Sequence, residues 1–458
     1  MKRMLLLMLL LLPTLVLGQE VAGSWHGNLE LGGTKLRLVF HLAQSEGAWR
    51  ATMDSPDQGA RGIPVDSVAV TPLGVTLVIK PLQMTYTAGF LGESLVGMLT
   101  QSGHSFSLML KRGAGERPRR PQEPQKPYPY HSEEVQFTSR DGETTLHGTL
   151  TRPSAEGRYP AVVLVTGSGT QNRDEELMEH KPFLLLADRL TRAGFAVLRY
   201  DDRGYNATPE ELARLQGSTT DHLTLDALGA HDFLRRQPMI NAQLVGIAGH
   251  SEGGTIAFLA AAAEPEVAFV VSLAGMTERG DRLLVEQNRA LMLEQGLPEP
   301  MAEAYATALE RLYAAWQTKS PEAIVAECEA LVAEAVVGLQ LPEPLRQNLV
   351  QVCRQAANPW FYRFVQLDPA DAIRALGDRP CLAINGTKDL QVDAEINLGR
   401  LQELLGVRPA LTIKAYEGLN HLLQPCTTGA VTEYAQIETT IDEQVLADLI
   451  AWLQTNIQ

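Results

Sequence analysis

Residues 244–263, LVGIAGHSEGGTIAFLAAAA, decide the fold of this chain. An apolar run ends in a glycine-rich turn and continues as an alanine-rich segment, which predicts a buried strand followed by a helix. The pentapeptide GHSEG at 249–253 matches the pattern G-x-S-x-G. At so sharp a turn the serine backbone is strained, and Gly249 and Gly253 avoid the clashes that larger side chains would make. We therefore interpret Ser251 as a nucleophile held at the edge of a sheet.

Apolar runs separated by helical stretches extend over residues 133–458. A hairpin around Asp141-Gly142 comes first, and the runs that follow are PAVVLVTGSG, FAVLRYDDRG, QLVGIAGHS, VAFVVSLAG, PCLAINGTKD and ALTIKAYEG. Continuous apolar strands with intervening helices are typical of a mostly parallel sheet covered on both faces. In such sheets the functional groups collect at the carboxyl ends of the strands. The sequence therefore predicts an α/β catalytic domain.

Two later strand ends supply partners for the serine, which is a weak nucleophile without a neighbouring base. LAINGTKDLQV places Asp389 after one strand, and KAYEGLNHLLQ places His421 after the next. The chain order serine, acid, histidine is that of the α/β-hydrolase triad. Asp393 is the reserve acid. His250 is the rival base, although we expect its side chain to point away from the serine.

Two backbone N–H groups are expected to stabilise an oxyanion beside Ser251. The N–H of Glu252 lies at a helix N-terminus and is the first. The second is expected in the loop VTGSGTQNRDEE, where we favour Ser168 with Gly169 as the alternative. Glycines are also common in ordinary strand-to-helix turns. The loop lacks G-x-x-x-x-G-K-[ST], which excludes a phosphate-binding loop.

The N-terminal part of the chain has a different pattern. Residues 19–112 contain short runs rich in β-branched and aromatic residues between glycine and proline turns, which predict a small antiparallel all-β domain, a barrel or a sandwich. Residues 113–132 are rich in proline and charge and predict a semi-rigid linker. The two segments together suggest a separate domain before the catalytic one.

A helical insertion is predicted within the catalytic domain. Residues from about 277 to 376 contain no strand-like run and much helix-periodic sequence. We interpret them as a helical cap over the sheet edge, and a helical subdomain without a gating role is the alternative. Trp316, Trp360 and Phe361 of this segment are candidates for a substrate pocket, while packing in the core of the cap is equally consistent with the sequence.

Residues 1–18, MKRMLLLMLLLLPTLVLG, have the pattern of a signal peptide, with Lys2 and Arg3 before an apolar run and Gly18 at the cleavage point. An uncleaved anchor is the alternative. The sequence thus predicts an exported protein, periplasmic or secreted, with no stable membrane insertion after cleavage. The net charge of −15 argues against a nucleic-acid partner.

Four cysteines follow: Cys328, Cys353, Cys381 and Cys426. Cys328 and Cys353 could form a disulfide in an exported protein, and free buried thiols are equally consistent with the sequence. Their spacing does not match a zinc site, and no nucleotide or flavin motif is present, so no cofactor and no metal are expected. The sequence does not indicate an oligomeric state.

Six segments together resemble a known group of proteins: GSGTQNRDE, DDRG, GHSEGG, NPWFYRFVQLDP, NGTKDLQV and GLNHLLQ. They are similar to the exported, two-domain bacterial α/β hydrolases of the serine-aminopeptidase-like family, which includes short-chain carboxylesterases. The resemblance covers residues 134–457 and implies Ser251 as nucleophile, Asp389 as acid and His421 as base. DDRGYNAT departs from the pattern, since members often continue with a second glycine and a serine.

The resemblance implies a serine hydrolase that acts on a small ester with a short acyl chain. A serine aminopeptidase or prolyl-peptidase-like enzyme of the same fold is the alternative, and it would need a carboxylate to hold the substrate amine. Glu252, Asp174, Glu175 and Glu176 are the candidates for that role. A second alternative is a non-catalytic ligand-binding protein with a relic hydrolase domain.

Overall fold

The computed structural model describes residues 21–31, 34–45, 47–58, 60–115 and 119–457. The chain divides into two compact units, residues 1–117 and 118–458. The predicted signal peptide, residues 1–18, lies outside the described residues. Over the described ranges, no helix combines the length and the apolar character that a membrane span requires.

The described residues of the first unit form one antiparallel sheet of nine strands. Its spatial order is β4-β3-β2-β1-β9-β8-β7-β6-β5, so the first and last strands of the unit pair in the middle of the sheet. The strands are β1 Gly23–Leu31, β2 Thr34–Ser45, β3 Ala48–Ser55, β4 Ala60–Pro64, β5 Ser67–Thr71, β6 Gly74–Ile79, β7 Met84–Leu91, β8 Ser94–Gln101 and β9 His104–Arg112.

One face of this sheet packs around a single apolar core. Trp25, Phe40 and Tyr86 are fully buried there, and the rings of Phe40 and Tyr86 stack with centroids 5.8 Å apart. The prediction of an antiparallel all-β domain is confirmed, and its described strands form one sheet rather than the two sheets of a sandwich.

The second unit contains an eight-stranded sheet in the order β10-β11-β13-β12-β14-β15-β16-β17. β10 and β11 form an antiparallel hairpin, β11 pairs antiparallel with β13, and all the remaining pairs are parallel. This arrangement confirms the predicted α/β-hydrolase fold. The strands are β10 His131–Thr138, β11 Thr145–Arg152, β12 Tyr159–Val165, β13 Ala196–Tyr200, β14 Ile240–His250, β15 Val270–Leu273, β16 Cys381–Gly386 and β17 Leu411–Tyr416.

Helices connect the strands. They are α1 Pro182–Arg192, α2 Pro209–Leu215, α3 Thr220–Arg235, α4 Glu252–Ala263, α5 Gly280–Glu294, α6 Glu299–Trp316, α7 Pro321–Ala326, α8 Cys328–Ala335, α9 Glu343–Arg354, α10 Pro359–Gln366, α11 Ala370–Arg374, α12 Ala394–Leu405, α13 Val431–Tyr434 and α14 Glu443–Asn456. One face of the sheet packs against α3, α4 and α12, and the other against α1 and α14. Both faces are therefore covered, which explains why the central strands β12 to β16 are mostly apolar and buried.

Helices α5 to α11 lie between β15 and β16 in the chain and form the predicted insertion, which we call the cap. The cap has an apolar core of its own, in which Trp316 is fully buried. Cys328 and Cys353 belong to the same core, and both are free thiols in the structure.

The predicted linker, residues 113–132, is in part anchored to the second unit. The guanidinium of Arg120 donates to the backbone oxygens of Met178, Ala435 and Ile437 at 2.9 to 3.0 Å. The amide of Gln122 donates to the oxygen of Ile441 at 2.8 Å. Residues 119–130 therefore do not act as a free spacer, because charged and amide side chains tie them to loop carbonyls.

Candidate active site

Ser251 occupies the sharp turn between β14 and α4. Its backbone has φ 55° and ψ −122°, a conformation that L-residues rarely adopt. A Cβ at Gly249 would lie 1.9 Å from the oxygen of Gly253, and one at Gly253 would lie 2.1 Å from the oxygen of Val165. The backbone itself blocks any larger residue at both positions. The glycines are therefore a steric requirement of a turn that leaves Ser251 partly exposed.

An acid and a base meet at the same edge of the sheet. Nδ1 of His421 lies 2.7 Å from Oδ2 of Asp389, and both side chains are almost completely buried. Oδ1 of Asp389 accepts the backbone N–H groups of Gln391 and Val392, at 2.8 and 2.9 Å. The fixed carboxylate holds the proton of His421 on Nδ1, which leaves Nε2 free to accept a proton from a hydroxyl.

The loops after β16 and β17 approach each other closely. A Cβ at Gly386 would lie 2.2 Å from the oxygen of Leu419, and the N–H of Lys388 donates to that same oxygen at 2.9 Å. Oδ1 of Asn420 accepts the N–H groups of Leu422 and Gln424, both at 3.0 Å. These contacts position His421 beside Asp389, and sequence reasoning missed the role of Asn420.

Ser251 lies at the same carboxyl edge because β14, β15, β16 and β17 are parallel neighbours. Its N–H donates to the oxygen of Leu273 at 2.9 Å. Between residues 119 and 457, the hydrogen bonds join His421 to Asp389 but include none from the Ser251 hydroxyl to His421. In resting hydrolases this bond is often long and tightens only when substrate binds.

Asp393, the reserve acid, has a different task in the structure. Its Oδ1 accepts the N–H of Ile396 at 2.9 Å and caps the N-terminus of α12. The structure therefore separates the two acidic candidates by function, since one caps a helix and the other contacts the histidine.

His250 lies beside His421, and its side-chain hydrogen bonds are to Glu175 and the backbone of His421, with none to the Ser251 hydroxyl among residues 119–457. Its Nδ1 is 2.9 Å from Oε1 of Glu175, and its Nε2 is 3.0 Å from the backbone oxygen of His421. The rings of His250 and His421 have centroids 4.7 Å apart. Burial lowers the pKa of His250, but the charge of Glu175 and the two hydrogen bonds raise it overall to about 9.

The predicted oxyanion loop passes beside Ser251. A Cβ at Gly167 would lie 3.1 Å from the Cβ of Ser251. The N–H of Gly167 already donates to Oε1 of Glu175 at 2.8 Å, which leaves it no part in binding an oxyanion. The N–H groups of Ser168 and Gly169 donate to no acceptor within the described second unit, so both remain candidates alongside the N–H of Glu252.

The carboxylate of Glu252 joins three parts of the domain. It accepts hydrogen bonds from Ser168 Oγ at 2.8 Å, Thr220 Oγ1 at 2.6 Å and Trp360 Nε1 at 3.0 and 3.2 Å. Burial raises the pKa of this carboxyl, while the three donors act in the opposite direction. Ser168 belongs to the predicted oxyanion loop and Trp360 to the cap. One side chain therefore connects both to α4, the helix that follows the sharp turn at Ser251, which we call the elbow.

The aromatic pocket candidates fall in different places. Trp360 lines a pocket of about 370 Å³ together with Gly169, Thr170, Leu212 and Leu215. The prediction of Trp316 as a pocket residue is wrong, because its ring is fully buried in the cap core. The ring of Phe361 packs edge-on against Trp316 with centroids 5.8 Å apart, so it belongs to the same core. Sequence alone could not separate these aromatics because all three lie in helix-periodic segments.

Three of the carboxylates proposed to hold a substrate amine have other partners. Asp174 is ion-paired with the buried Arg199. Glu175 is paired with His250, and Glu252 is surrounded by its three donors. Among the described residues there is also no cluster of three or more His, Cys, Asp or Glu side chains placed to bind a metal ion.

Comparison with known proteins agrees with this fold. A family model described as serine aminopeptidase, S33, matches residues 179–424, which is more than half of the chain and includes Ser251, Asp389 and His421. The chain belongs to this family. The S33 segment covers the elbow, the cap and both loops of the acid–base pair.

Two curated relatives of this S33 member are hydrolases by name. Esterase EstD of Thermotoga maritima is 26% identical over 311 residues, which cover 67% of this chain and 65% of EstD. The match therefore spans just under two thirds of EstD. Thiohydrolase aneE of Aspergillus aculeatus is 26% identical over 318 residues, 63% of this chain and 86% of aneE.

Solved structures are similar at lower identity. A dienelactone hydrolase from Anabaena variabilis is 18% identical, with a TM-score of 0.40, and the match covers 72% of this chain and all of that one. A hypothetical protein from Pseudomonas aeruginosa is 20% identical, with a TM-score of 0.45, and the match covers 72% of this chain and 95% of the other.

Proposed function

We propose that this protein is a serine carboxylesterase that cleaves esters with short acyl chains through an acyl-enzyme. The buried contact between His421 and Asp389, at the sheet edge that also presents the strained Ser251, is the observation that carries the proposal. An imidazole fixed by a buried carboxylate is what a serine hydroxyl requires in order to lose its proton.

The reaction follows from these three side chains. Nε2 of His421 takes the hydroxyl proton as Oγ of Ser251 bonds to the ester carbonyl carbon. The resulting oxyanion accepts hydrogen bonds from the N–H of Glu252 and from Ser168 or Gly169. His421 then gives its proton to the leaving alcohol, and the acyl group stays on Ser251. Water, activated by the same imidazole, releases the acid and restores the serine.

The charge distribution favours an ester over a peptide with a free amine. An aminopeptidase needs an unengaged carboxylate for the ammonium group, and Asp174, Glu175 and Glu252 each have partners that neutralise or bury them. A carboxylate that is already ion-paired or hydrogen-bonded would have to give up those partners before binding an amine. EstD, named an esterase, supports the same choice.

The pocket beside the oxyanion loop is proposed to hold the acyl chain. Its volume of about 370 Å³ lies near the lower end of the range for small-molecule sites. Leu212, Leu215 and Trp360 supply apolar surface, and Gly169 places the pocket next to the proposed oxyanion donors. A small pocket of mixed polar and apolar lining at that position suits a short acyl group better than a long one.

Substrate comparison tests the proposed function. The purified protein and Ser251→Ala are assayed on p-nitrophenyl esters of two to twelve carbons and on aminoacyl and prolyl naphthylamides. We expect hydrolysis of the short esters, little turnover of the amides, and loss of activity in the variant. Activity on the amides alone would instead support a peptidase, and an inactive wild type that binds ligand would support a relic domain.

A pocket variant tests the acyl site separately. Leu215→Trp fills part of the pocket and should therefore hinder longer acyl chains more than short ones. The kcat/KM for p-nitrophenyl octanoate should fall relative to the kcat/KM for p-nitrophenyl acetate. Val407→Trp, at an almost fully exposed site, is the control for adding an indole to the protein. An unchanged ratio in Leu215→Trp would place the acyl chain elsewhere.

A further inference from the structure

A second histidine–carboxylate pair, His250 with Glu175, lies directly behind the proposed base. Oε1 of Glu175 is 2.9 Å from Nδ1 of His250, and Nε2 of His250 is 3.0 Å from the backbone oxygen of His421. Glu175 and His250 are 3% and 8% exposed, so water does not compete with these bonds. The reaction described above uses neither side chain.

Both ring nitrogens of His250 face acceptors. A carbonyl oxygen accepts only, and so does an ionised carboxylate, so each nitrogen must carry a proton for both bonds to form. The doubly protonated ring is therefore the state that fits these contacts, and the negative charge of Glu175 stabilises it. A neutral ring would leave one nitrogen lone pair directed at an oxygen.

Within residues 119–457, the charges that act most strongly on the His250 ring are those of Glu175 and, after it, Asp389. His421 faces the ring of His250, and the carboxylate of Asp389 adds a more distant negative charge. The other side chains around the small void beside His250 are apolar: Pro182, Phe183, Leu186, Leu273, Leu422, Leu423 and Ile441. Glu175 therefore decides whether His250 keeps its second proton.

The backbone at Glu175 is also unusual. Its φ is 51°, in the left-handed region that non-glycine residues seldom adopt. This conformation aims one carboxylate oxygen at both the N–H of Gly167 and the ring of His250. Strain of this kind persists where surrounding contacts require it, and it is common at functional sites.

We propose that protonated His250, held by Glu175, positions the backbone of His421 and through it the imidazole that serves Ser251. The inference rests on the proposed serine hydrolase function and deepens it. His250 and Glu175 are positioning residues, since they touch neither the substrate nor the serine hydroxyl. Loss of the proton from His250 removes the donor to one acceptor, and the base then loses its alignment.

A pH profile distinguishes this role from simple packing. The wild-type kcat for p-nitrophenyl butyrate should fall as pH rises through about 9, where His250 loses its second proton. Glu175→Gln keeps the size of the side chain and an oxygen for Gly167, but removes the charge. In that variant this fall in kcat at high pH, the alkaline limb of the profile, should move toward neutral pH.

A variant that removes both ring nitrogens of His250 is the second part of the test. His250→Phe should lower kcat about 10- to 100-fold with a smaller change in KM, as expected for the loss of one or two buried hydrogen bonds, and its alkaline limb should vanish. His231→Phe is the matched control, because His231 is fully buried in α3, which packs on the face of the sheet opposite to the apolar neighbours of His250. It should leave the profile unchanged.

The outcomes separate cleanly. An alkaline limb at the same pH in wild type, Glu175→Gln and His250→Phe, with circular dichroism showing folded protein throughout, overturns the inference. So does a wild-type profile that stays flat beyond pH 10. If His250→Phe fails to fold, Glu175→Gln decides the matter.

Ser251→Ala is assayed in parallel. Full activity in Ser251→Ala overturns the serine mechanism as well. An inactive Ser251→Ala, together with an alkaline limb that does not move in the Glu175 and His250 variants, overturns only the role of His250.

Discussion

Nδ1 of His421 lies 2.7 Å from Oδ2 of Asp389, and the other oxygen of that carboxylate accepts two backbone N–H groups. The acid therefore cannot rotate without losing hydrogen bonds of its own loop. A carboxylate fixed in this way selects one tautomer of the histidine and, in the proposed mechanism, would stabilise the imidazolium that forms when Ser251 gives up its proton.

Asp389→Asn should separate orientation from charge at this pair. The amide oxygen can keep the bonds to Gln391 and Val392, which turns the NH₂ group toward His421 and favours the wrong tautomer. We expect kcat to fall about 10³- to 10⁴-fold with KM and thermal stability little changed. The control is Asp393→Asn, which retains a helix cap and should keep near wild-type activity. Similar losses in both variants would show that the acid has been misassigned.

Glycine at the elbow should be irreplaceable for a steric reason. In Gly253→Ala the new Cβ would meet the backbone oxygens of Val165 and Thr166, at 2.1 and 2.5 Å, and neither can move without shifting a central strand. We expect activity to be lost and the free energy of unfolding to fall by about 1–3 kcal/mol or more. Urea denaturation and ester hydrolysis measure the two effects.

Gly399→Ala is the matched control for that substitution. Gly399 lies within α12, and a Cβ added there would have no neighbouring atom within 4 Å, so alanine should stabilise the helix by up to about 1 kcal/mol. Activity should not change. A wild-type-like Gly253→Ala would contradict the geometry of the turn.

The bond from Trp360 to Glu252 should couple the cap to the oxyanion loop. Trp360→Phe removes the N–H donor but keeps an aromatic ring beside Phe364, whose centroid is 5.2 Å away. Loss of one hydrogen bond to a buried carboxyl should reduce kcat/KM up to about tenfold. Phe361→Leu, in the cap core, should instead lower the melting temperature with little effect on kcat/KM. Equal kinetics in wild type and Trp360→Phe would argue against the coupling.

Acid should destabilise the domain through His180. This ring is fully buried, with Nδ1 3.0 Å from Thr440 Oγ1 and Nε2 2.9 Å from the oxygen of Tyr434. Burial lowers its pKa to about 4, with the charge of Arg120 as a smaller contribution. Below about pH 6.5 the unfolded chain binds a proton at this ring and the folded chain does not. The contribution of His180 to the stability of the folded state is therefore present above that pH and is lost as pH falls toward 4.

A comparison with His180→Gln isolates this contribution. Urea unfolding at pH 7.5 and 4.5 should show the stability advantage of the wild type over the variant shrinking by roughly 2–3 kcal/mol at the lower pH. Other acid-sensitive groups affect both proteins alike and cancel in the difference. An advantage that is the same at both values would mean that His180 titrates normally in the folded protein.

Local patterns predicted the elements that carry the reaction. The strand, the glycine-fenced serine and the alanine-rich helix occupy one contiguous stretch, and Asp389 and His421 each follow an apolar strand. The nine strands of the first unit were harder to predict individually, because β4 and β5 have only five residues each and too few alternations to stand out.

The contacts between distant loops could not be predicted from the sequence. His250 and Glu175 are 75 positions apart, and Glu252 and Trp360 are 108 apart, so no period or spacing links them. The placement of the aromatic residues of the cap could not be predicted for the same reason. Whether Trp316 faces a pocket or a core depends on how α6 packs against its neighbours, which helix periodicity does not specify.

The most direct test of the account is the site and rate of labelling by a fluorophosphonate. Mass spectrometry of the digested protein should place a single adduct on Ser251, and His421→Ala should react at least about 10³-fold more slowly, since the hydroxyl then lacks its base. An adduct on another residue, or equal labelling rates in wild type and His421→Ala, would contradict the assignment of Ser251 and His421 as nucleophile and base.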